Sequence, residues 1–145
     1  MKIKIRDLEE RDLSYVVEIA KQSFTIPWSL KSFKKELSCD SSILKVAEIE
    51  GEIVGYAVFR RVLDEVELLS VAVSPSCRRK GIATKLIKET LKEIKDGIKA
   101  CFLEVRVSNE GAIRLYEKLG FLKIGIRKKY YFFPEEDAII MRLKI

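Results

Sequence analysis

A basic segment that contains a glycine lies where a predicted strand gives way to a predicted helix. Apolar residues run through positions 66–73, Pro75 follows, and helical apolar spacing begins at position 82. Free backbone amides at a helix N-terminus bind phosphate oxygens, and nearby cations would strengthen the attraction for an anionic ligand. One glycine loop is weak evidence, so an ordinary basic turn before a surface helix explains the spacing equally well. The loop consists of Arg78, Arg79, Lys80, Gly81, Ile82 and Ala83.

A second set of polar residues lies in and after the next predicted strand, at residues 102–107. In a strand, Glu104 and Arg106 share one face, and a carboxylate near the end of a central strand could act as a base. A solvated Glu104 paired with Arg106 is the simpler alternative. Asn109 could cap the helix that it precedes, and Tyr116 lies on an apolar helical stripe and could be ordinary core. These residues alone do not decide whether the segment forms a catalytic site or has a purely structural role.

Composition removes several kinds of chemistry. The chain has no histidine, which excludes histidine-dependent triads, histidine metal ligands and an imidazole base. Its 3 cysteines, Cys39, Cys77 and Cys101, are odd in number, widely spaced and without a CxxC pair. That pattern argues against a disulfide framework or a zinc site and fits a reducing cytoplasm. Chemistry must therefore come from Glu, Asp, Tyr, Cys or backbone amides, and we expect no metal.

Length and charge bound the remaining choices. With 145 residues, 48% of them hydrophobic and 34% charged, the chain is expected to form one globular domain over residues 1–145. No apolar stretch approaches the roughly 18 residues of a membrane span, and the first residues show no secretory signal. The net charge of +6 favours anionic partners. A basic module that binds nucleic acid is one such class, although no helix-turn-helix, RRM or zinc pattern is present.

The elements that would position these residues alternate between strands and helices. The predicted order is β-α-α-β-β-β-α-β-α-β-β, with a right-handed strand-helix-strand unit in its middle. Asp12 is the expected N-cap of the first helix, Ser29 caps the second, and Gly120 ends the last. The order indicates an α/β fold with a mixed sheet. We expect a first strand around Ile3 and Ile5, further strands at 44–49, 53–62, 66–73, 102–107, 121–131 and 138–143, and helices at 12–24, 29–37, 82–94 and 109–119.

The loop and the second segment match known sequence motifs when they are taken together. Residues 78–83 fit the pattern Q/R-x-x-G-x-G/A, and residues 103–121 read LEVR-x-SN-x-x-A-x-x-LY-x-x-x-GF. Further matches are Pro27-Trp28-Ser29, Tyr130-Tyr131 and Glu136-Asp137-Ala138. Over nearly its whole length the chain thereby resembles the GNAT N-acetyltransferases, in the branch that holds the RimI-like ribosomal-protein and the archaeal protein N-terminal acetyltransferases.

The resemblance implies a GNAT-like mixed sheet with a splayed central strand pair, and a reaction that moves acetyl from acetyl-CoA to a primary amine. In such a fold the amides of residues 78–83 hold the pyrophosphate. Asn109 would bind the pantetheine arm. Further contacts to that arm are expected from the backbone at Val71, Ala72 and Val73.

The same resemblance implies how the chemistry is divided. Glu104 would be the base, directly or through one water, and Tyr116 the acid for the departing thiolate. The amine would attack the thioester directly in a ternary complex. An acetyl-cysteine intermediate on Cys77 or Cys101 would lack a histidine partner.

The acceptor implied by the resemblance is the N-terminal α-amine of a protein, from a ribosomal protein or a broader set. It would be held by Trp28, Tyr130 and Tyr131. The departures from the family pattern are Ala83 for the final loop glycine, Arg78 where bacterial members often have Gln, and a short aromatic segment at 132–135. Because that segment borders the peptide groove in this family, alternatives stay open: a lysine side chain or a small polyamine as acceptor, and hairpin packing as the role of the tyrosines.

Overall fold

Across residues 2–145, which the computed structural model describes, seven strands and four α-helices follow one another in the predicted order. The strands are β1 (Ile3–Asp7), β2 (Ser42–Ile49), β3 (Glu52–Val62), β4 (Glu65–Val73), β5 (Ala100–Arg106), β6 (Leu122–Tyr131) and β7 (Glu136–Lys144). The helices are α1 (Leu13–Ser23), α2 (Leu30–Leu37), α3 (Ile82–Ile94) and α4 (Glu110–Lys118), with short 3-10 turns at Glu10–Asp12 and Pro75–Cys77. None of the helices in this part of the chain is long and apolar enough to cross a membrane.

The strands form one mixed sheet in the order β1-β2-β3-β4-β5-β7-β6. Among the described strands, β4 and β5 form the one parallel pair, which begins at Glu65 with Ala100 and stops at Leu68 with Leu103. Beyond that point β4 runs on to Val73 and β5 to Arg106 without pairing to each other. The expected splayed central pair is therefore confirmed.

An irregularity in β4 explains where the two strands part. In the antiparallel ladder of β3 and β4, Ser70 lies opposite Val58 and Leu68 lies opposite Phe59, so Leu69 has no partner. A β-bulge of this kind bends a strand and increases its twist. The bend falls one residue after the last pair with β5, so it opens a gap between the C-terminal halves of β4 and β5.

Helices cover both faces of the sheet and fix that gap in place. One buried cluster joins α3 and α4 to the sheet through residues such as Leu86, Ile113 and Phe59. The other joins α1 and α2 to the opposite face through residues such as Val16 and Phe33. The alternation of side chains along a strand places the two clusters on opposite faces.

The side chains expected to cap α1 and α2 behave differently in the structure. Ser29 caps α2, because its hydroxyl accepts a backbone hydrogen bond from the first turn. Asp12 is the N-cap residue of α1, as predicted, but its side chain makes no capping hydrogen bond to that helix. Its carboxylate accepts from Glu9 N at 2.8 Å and pairs with the Arg6 guanidinium, also at 2.8 Å, so it closes the 3-10 turn before Leu13 instead. The hydrogen bonds from Arg6 hold the pKa of Asp12 below its usual value.

Candidate active site

The loop before α3 turns sharply and leaves an open backbone face. Arg79 and Gly81 both have positive φ, of 63° and 76°. The first intrahelical bond runs from Lys85 N to Gly81 O at 3.0 Å, so the amides of residues 82–84 have no partner within the helix. A Cβ built on Gly81 would meet no heavy atom within 4 Å, so this face is open to a ligand. A helix N-terminus with free amides and an open approach fits a phosphate group.

The loop borders a cleft of about 840 Å³ that runs between the end of β4 and α4. Its walls include all three predicted pantetheine positions and most of the predicted phosphate loop: Val71, Ala72, Val73, Arg78, Arg79, Gly81, Ile82 and Ala83. Lys80 is exposed and does not line the cleft. The predicted backbone sites thus lie together along one groove.

Arg78 is held by the protein itself. Its Nε donates to Val73 O at 3.1 Å and its Nη2 donates to Ser23 Oγ at 3.2 Å. The side chain therefore ties the loop to the end of β4 and to the end of α1. The sequence suggested that Arg78 adds positive charge near the pyrophosphate. In the structure its guanidinium also holds the loop in place through these two hydrogen bonds.

A second chamber of about 260 Å³ lies where β4 and β5 separate. It shares wall residues with the large cleft: Phe24, Val71, Asn109, Ala112 and Tyr116. A group carried at the end of a ligand in the cleft can therefore reach the chamber.

Glu104 lies on β5 in the wall of this chamber. Its Oε2 is buried and forms an ion pair with the Nε of Arg127 at 2.8 Å, although within residues 2–145 this oxygen accepts no hydrogen bond. The alternative that Glu104 pairs with Arg106 is wrong, because Arg106 pairs with Glu136 at 3.0 Å. A buried carboxylate oxygen without a hydrogen bond is unusual in a scaffold, and it favours a functional role for Glu104.

Two residues of α4 line both spaces. Tyr116 is buried, with its ring edge-on to Phe121 at 5.8 Å, and burial raises its pKa, so the phenol keeps its proton at neutral pH. Asn109 caps α4, since its Oδ1 accepts from Ala112 N at 3.2 Å, which leaves the side-chain NH₂ as a donor. Tyr116 is thus both core and cleft wall, and Asn109 is both cap and cleft wall.

The aromatic residues predicted for the acceptor do not all reach the chamber. Trp28, which packs on Phe33 at 5.3 Å, and Tyr131 both line it. Burial, with the nearby Glu104 charge, raises the pKa of Tyr131 to about 12. Tyr130 is exposed and lies outside the chamber wall, edge-on to Tyr131 at 5.0 Å.

Sequence reasoning missed several residues of the chamber. Phe24 and Ile26 line it from the loop after α1. Their position just before Pro27-Trp28 is the one signal that could have found them. Arg127 was not among the predicted site residues. Nothing in the linear pattern places its side chain beside Glu104, because the two residues lie on different strands with β7 between them.

Comparisons with known proteins agree with this geometry. The model of the acetyltransferase (GNAT) family matches residues 13–121. The [ribosomal protein bS18]-alanine N-acetyltransferase of Escherichia coli (strain K12) is 37% identical over 144 residues, covering 97% of both chains.

Solved structures give the same result. The crystal structure of the ribosomal-protein-S18-alanine N-acetyltransferase from Escherichia coli has a TM-score of 0.92 and 36% identity, covering 99% of this chain and 94% of that one. Ard1 from Thermoplasma volcanium has a TM-score of 0.92 and 26% identity, covering 100% and 99%.

The chain belongs to the GNAT family of acetyltransferases, as its motifs predicted. More particularly, it is an acetyl-CoA-dependent N-acetyltransferase, similar along its whole length to the ribosomal-protein-alanine enzymes. The interpretation as a non-catalytic nucleic-acid module is set aside. The open phosphate cradle, the free amides and the adjoining cleft fit coenzyme A, whose thioester supplies the activated acetyl group.

Proposed function

We propose that this enzyme transfers acetyl from acetyl-CoA to the N-terminal α-amine of a protein, by direct attack in a ternary complex. The observation that carries the proposal is the chamber between β4 and β5, which has Glu104 and Tyr116 in its walls and opens from the large cleft. The similarity to enzymes named for an alanine of ribosomal protein bS18 supports a ribosomal protein as the acceptor.

The donor is held mainly by backbone groups. Past Leu68, β4 has no partner on its β5 side, so the backbone groups of residues 71–73 that point away from β3 can pair with the amides of the pantetheine arm, as an added strand would. The Val73 oxygen already accepts from Arg78 Nε. The pyrophosphate lies on the amides of residues 78–83, and Asn109 donates its NH₂ to the same arm. Binding through backbone leaves the thioester at the chamber.

The transfer then moves protons away from the amine nitrogen and onto the departing sulfur. An α-amine has a pKa of about 8, so Glu104 removes its proton with modest help, directly or through one water. The nitrogen attacks the thioester carbon, the developing oxyanion is met by fixed backbone donors, and the carbon–sulfur bond breaks. Tyr116 gives its proton to the departing sulfur. The nitrogen of the intermediate loses its second proton to the Tyr116 oxygen, directly or through a water, which restores the phenol. The new amide and coenzyme A then leave, and Glu104 returns its proton to solvent.

Direct attack is favoured over an acetyl-cysteine intermediate by the state of the cysteines. Cys101 is fully buried, and burial raises its pKa to about 12, so its thiolate is scarce at neutral pH. Cys77 lies in the cleft wall, and the described chain has no histidine to activate it. A nucleophilic thiol needs a base or a lowered pKa.

A panel of peptides tests the acceptor class. Peptides beginning with Ala, Ser, Met or Glu are incubated with enzyme and acetyl-CoA, each with a free or a blocked amino terminus, and the products are read by mass spectrometry. We expect acetylation of free termini only. Equal reaction of the blocked peptides at a lysine would overturn the N-terminal acceptor and promote a lysine acetyltransferase.

A further inference from the structure

One guanidinium joins the end of β5 to the loop between β6 and β7. Arg106 Nη1 donates to Pro134 O at 2.9 Å, and its Nη2 donates to Phe132 O at 3.0 Å. The guanidinium carbon also lies 4.4 Å from the centre of the Tyr131 ring. The planar, forked group of arginine can donate in two directions and stack on a ring at once, which a lysine ammonium cannot do.

A carboxylate completes this cluster. Glu136 Oε1 lies 3.0 Å from Arg106 Nη1, and its Oε2 accepts from Ser108 N at 2.7 Å. These hydrogen bonds, from Ser108 first and then from Arg106, hold the pKa of Glu136 below its usual value, so it is ionised at neutral pH. Glu136 therefore fixes the guanidinium to the turn that leads into α4.

The loop that Arg106 holds has little packing of its own. Phe132 and Phe133 are 63% and 76% exposed, so their rings do not anchor the backbone between them and Pro134. Tyr131, at the start of this loop, lines the chamber, as do Glu104 and Arg106 themselves. The guanidinium is thus the main polar link between the loop and the strand that carries Glu104.

From these contacts we infer that Arg106 is a positioning residue for the acceptor: it holds the β6–β7 loop and the ring of Tyr131 at the chamber beside Glu104. The inference rests on the proposed function, which puts the acceptor in this chamber. Arg106 acts through Tyr131 and the loop and exchanges no proton itself. Its removal therefore affects acceptor binding and leaves donor binding intact.

The test compares Arg106→Lys and Arg106→Met with Arg11→Met, a control that removes an exposed arginine whose ion pair among residues 2–145 is with Glu9. We expect both Arg106 variants to raise the KM for the acceptor peptide about tenfold while the KM for acetyl-CoA stays within about twofold. Hydrogen exchange of the coenzyme A-bound protein should become faster at residues 130–136 and stay unchanged at residues 78–84. The control should match the wild type in every measurement.

Three results would overturn the inference: an unchanged acceptor KM, equal rises in both KM values, or unchanged exchange in the loop. If Arg106→Met does not fold, Glu136→Gln decides by the same KM split, because it loosens the cluster and keeps the arginine. A wild type that acetylates lysine instead of an α-amine would refute the proposed function, and the acceptor KM would then be measured with that lysine peptide. The two failures are therefore distinguishable.

Discussion

The donor side and the acceptor side of this enzyme are built in different ways. The donor side consists of backbone: the loop at residues 78–83, the start of α3 and the free edge of β4, all backed by buried side chains such as Leu86. The proposed acceptor side consists of side chains on β5 and on the edge strand β6: Arg127 of β6 contacts Glu104 of β5, and Arg106 of β5 braces the loop. Recognition on the donor side depends on a glycine loop and on backbone groups left unpaired by the fold. Recognition on the acceptor side depends on ion pairs between side chains of different strands.

The hairpin of β6 and β7 shows how far the acceptor side departs from regular structure. Between the pair Arg127–Ala138 and the pair Tyr131–Glu136, three residues of β6 face one residue of β7. The Asp137 carboxylate holds this bulge, accepting from Lys129 N at 2.9 Å. A bulge re-aims the side chains in and after it: here Tyr130 lies in the bulge and Tyr131 follows it.

The largest expected effect is on the donor side, at Gly81. Gly81→Val places a branched side chain at φ +76°, where it is strained, and fills the open approach to the loop. We expect coenzyme A binding, measured by calorimetry, to weaken by at least about a hundredfold, which is about 2.7 kcal/mol.

Gly51→Val is the matched control for that change. Gly51 also has a positive φ, of 82°, and open space around its Cβ position, but it lies in the turn between β2 and β3. It should lose similar thermal stability and keep its coenzyme A affinity. Equal affinity in the two variants would remove the phosphate cradle from the account.

The next effect is on the base. Glu104→Gln should lower kcat at neutral pH by roughly ten- to ten-thousand-fold, the usual range for general acid–base catalysis, with coenzyme A affinity unchanged. Part of the loss should return above about pH 8, where more of the α-amine is already neutral. Glu89→Gln on the outer face of α3 serves as the control. Full activity of Glu104→Gln at pH 7 would show that the carboxylate is structural.

A smaller effect on kcat is expected at Tyr116, which lines both the large cleft and the chamber. Tyr116→Phe should lower kcat about tenfold, because the departing thiolate needs limited help. Burial raises the pKa of Tyr116, so the wild-type phenol keeps its proton as pH rises through the usual tyrosine range. The pH–rate profile of the wild type should therefore show no fall near pH 10. A clear fall there that disappears in Tyr116→Phe would contradict the raised pKa.

The smallest effect is expected at the acceptor tyrosines, and it separates recognition from packing. Tyr131→Phe removes one hydroxyl from the chamber wall. It should raise the KM for the peptide by an amount that corresponds to a binding free energy of about 1 kcal/mol, with the KM for acetyl-CoA unchanged. Tyr130→Phe should change less, because Tyr130 lies outside that wall. No change in Tyr131→Phe would favour hairpin packing.

The donor side was easier to predict from the sequence than the acceptor side. Gly81 and the helix after it are local features, so the loop and the order of elements could be predicted from spacing, whereas the phosphate-binding role of the loop came from the family resemblance. The partners of Glu104 and Arg106 are not local: Arg127 and Glu136 lie more than twenty residues further along the chain, on strands whose register contains a three-residue bulge. The simple strand rule suggested a pair between Glu104 and Arg106, and the sheet supplied other partners for both.

The central claim is that the acceptor is an α-amine held beside Glu104. The most direct test uses one peptide with a free N-terminal alanine and an internal lysine, incubated with wild-type enzyme and with Glu104→Gln, and locates the acetyl group by fragment mass spectrometry. We expect acetyl on the alanine nitrogen alone, formed at least about tenfold more slowly by Glu104→Gln. Acetyl on the lysine, or equal rates for the two enzymes, would contradict the account.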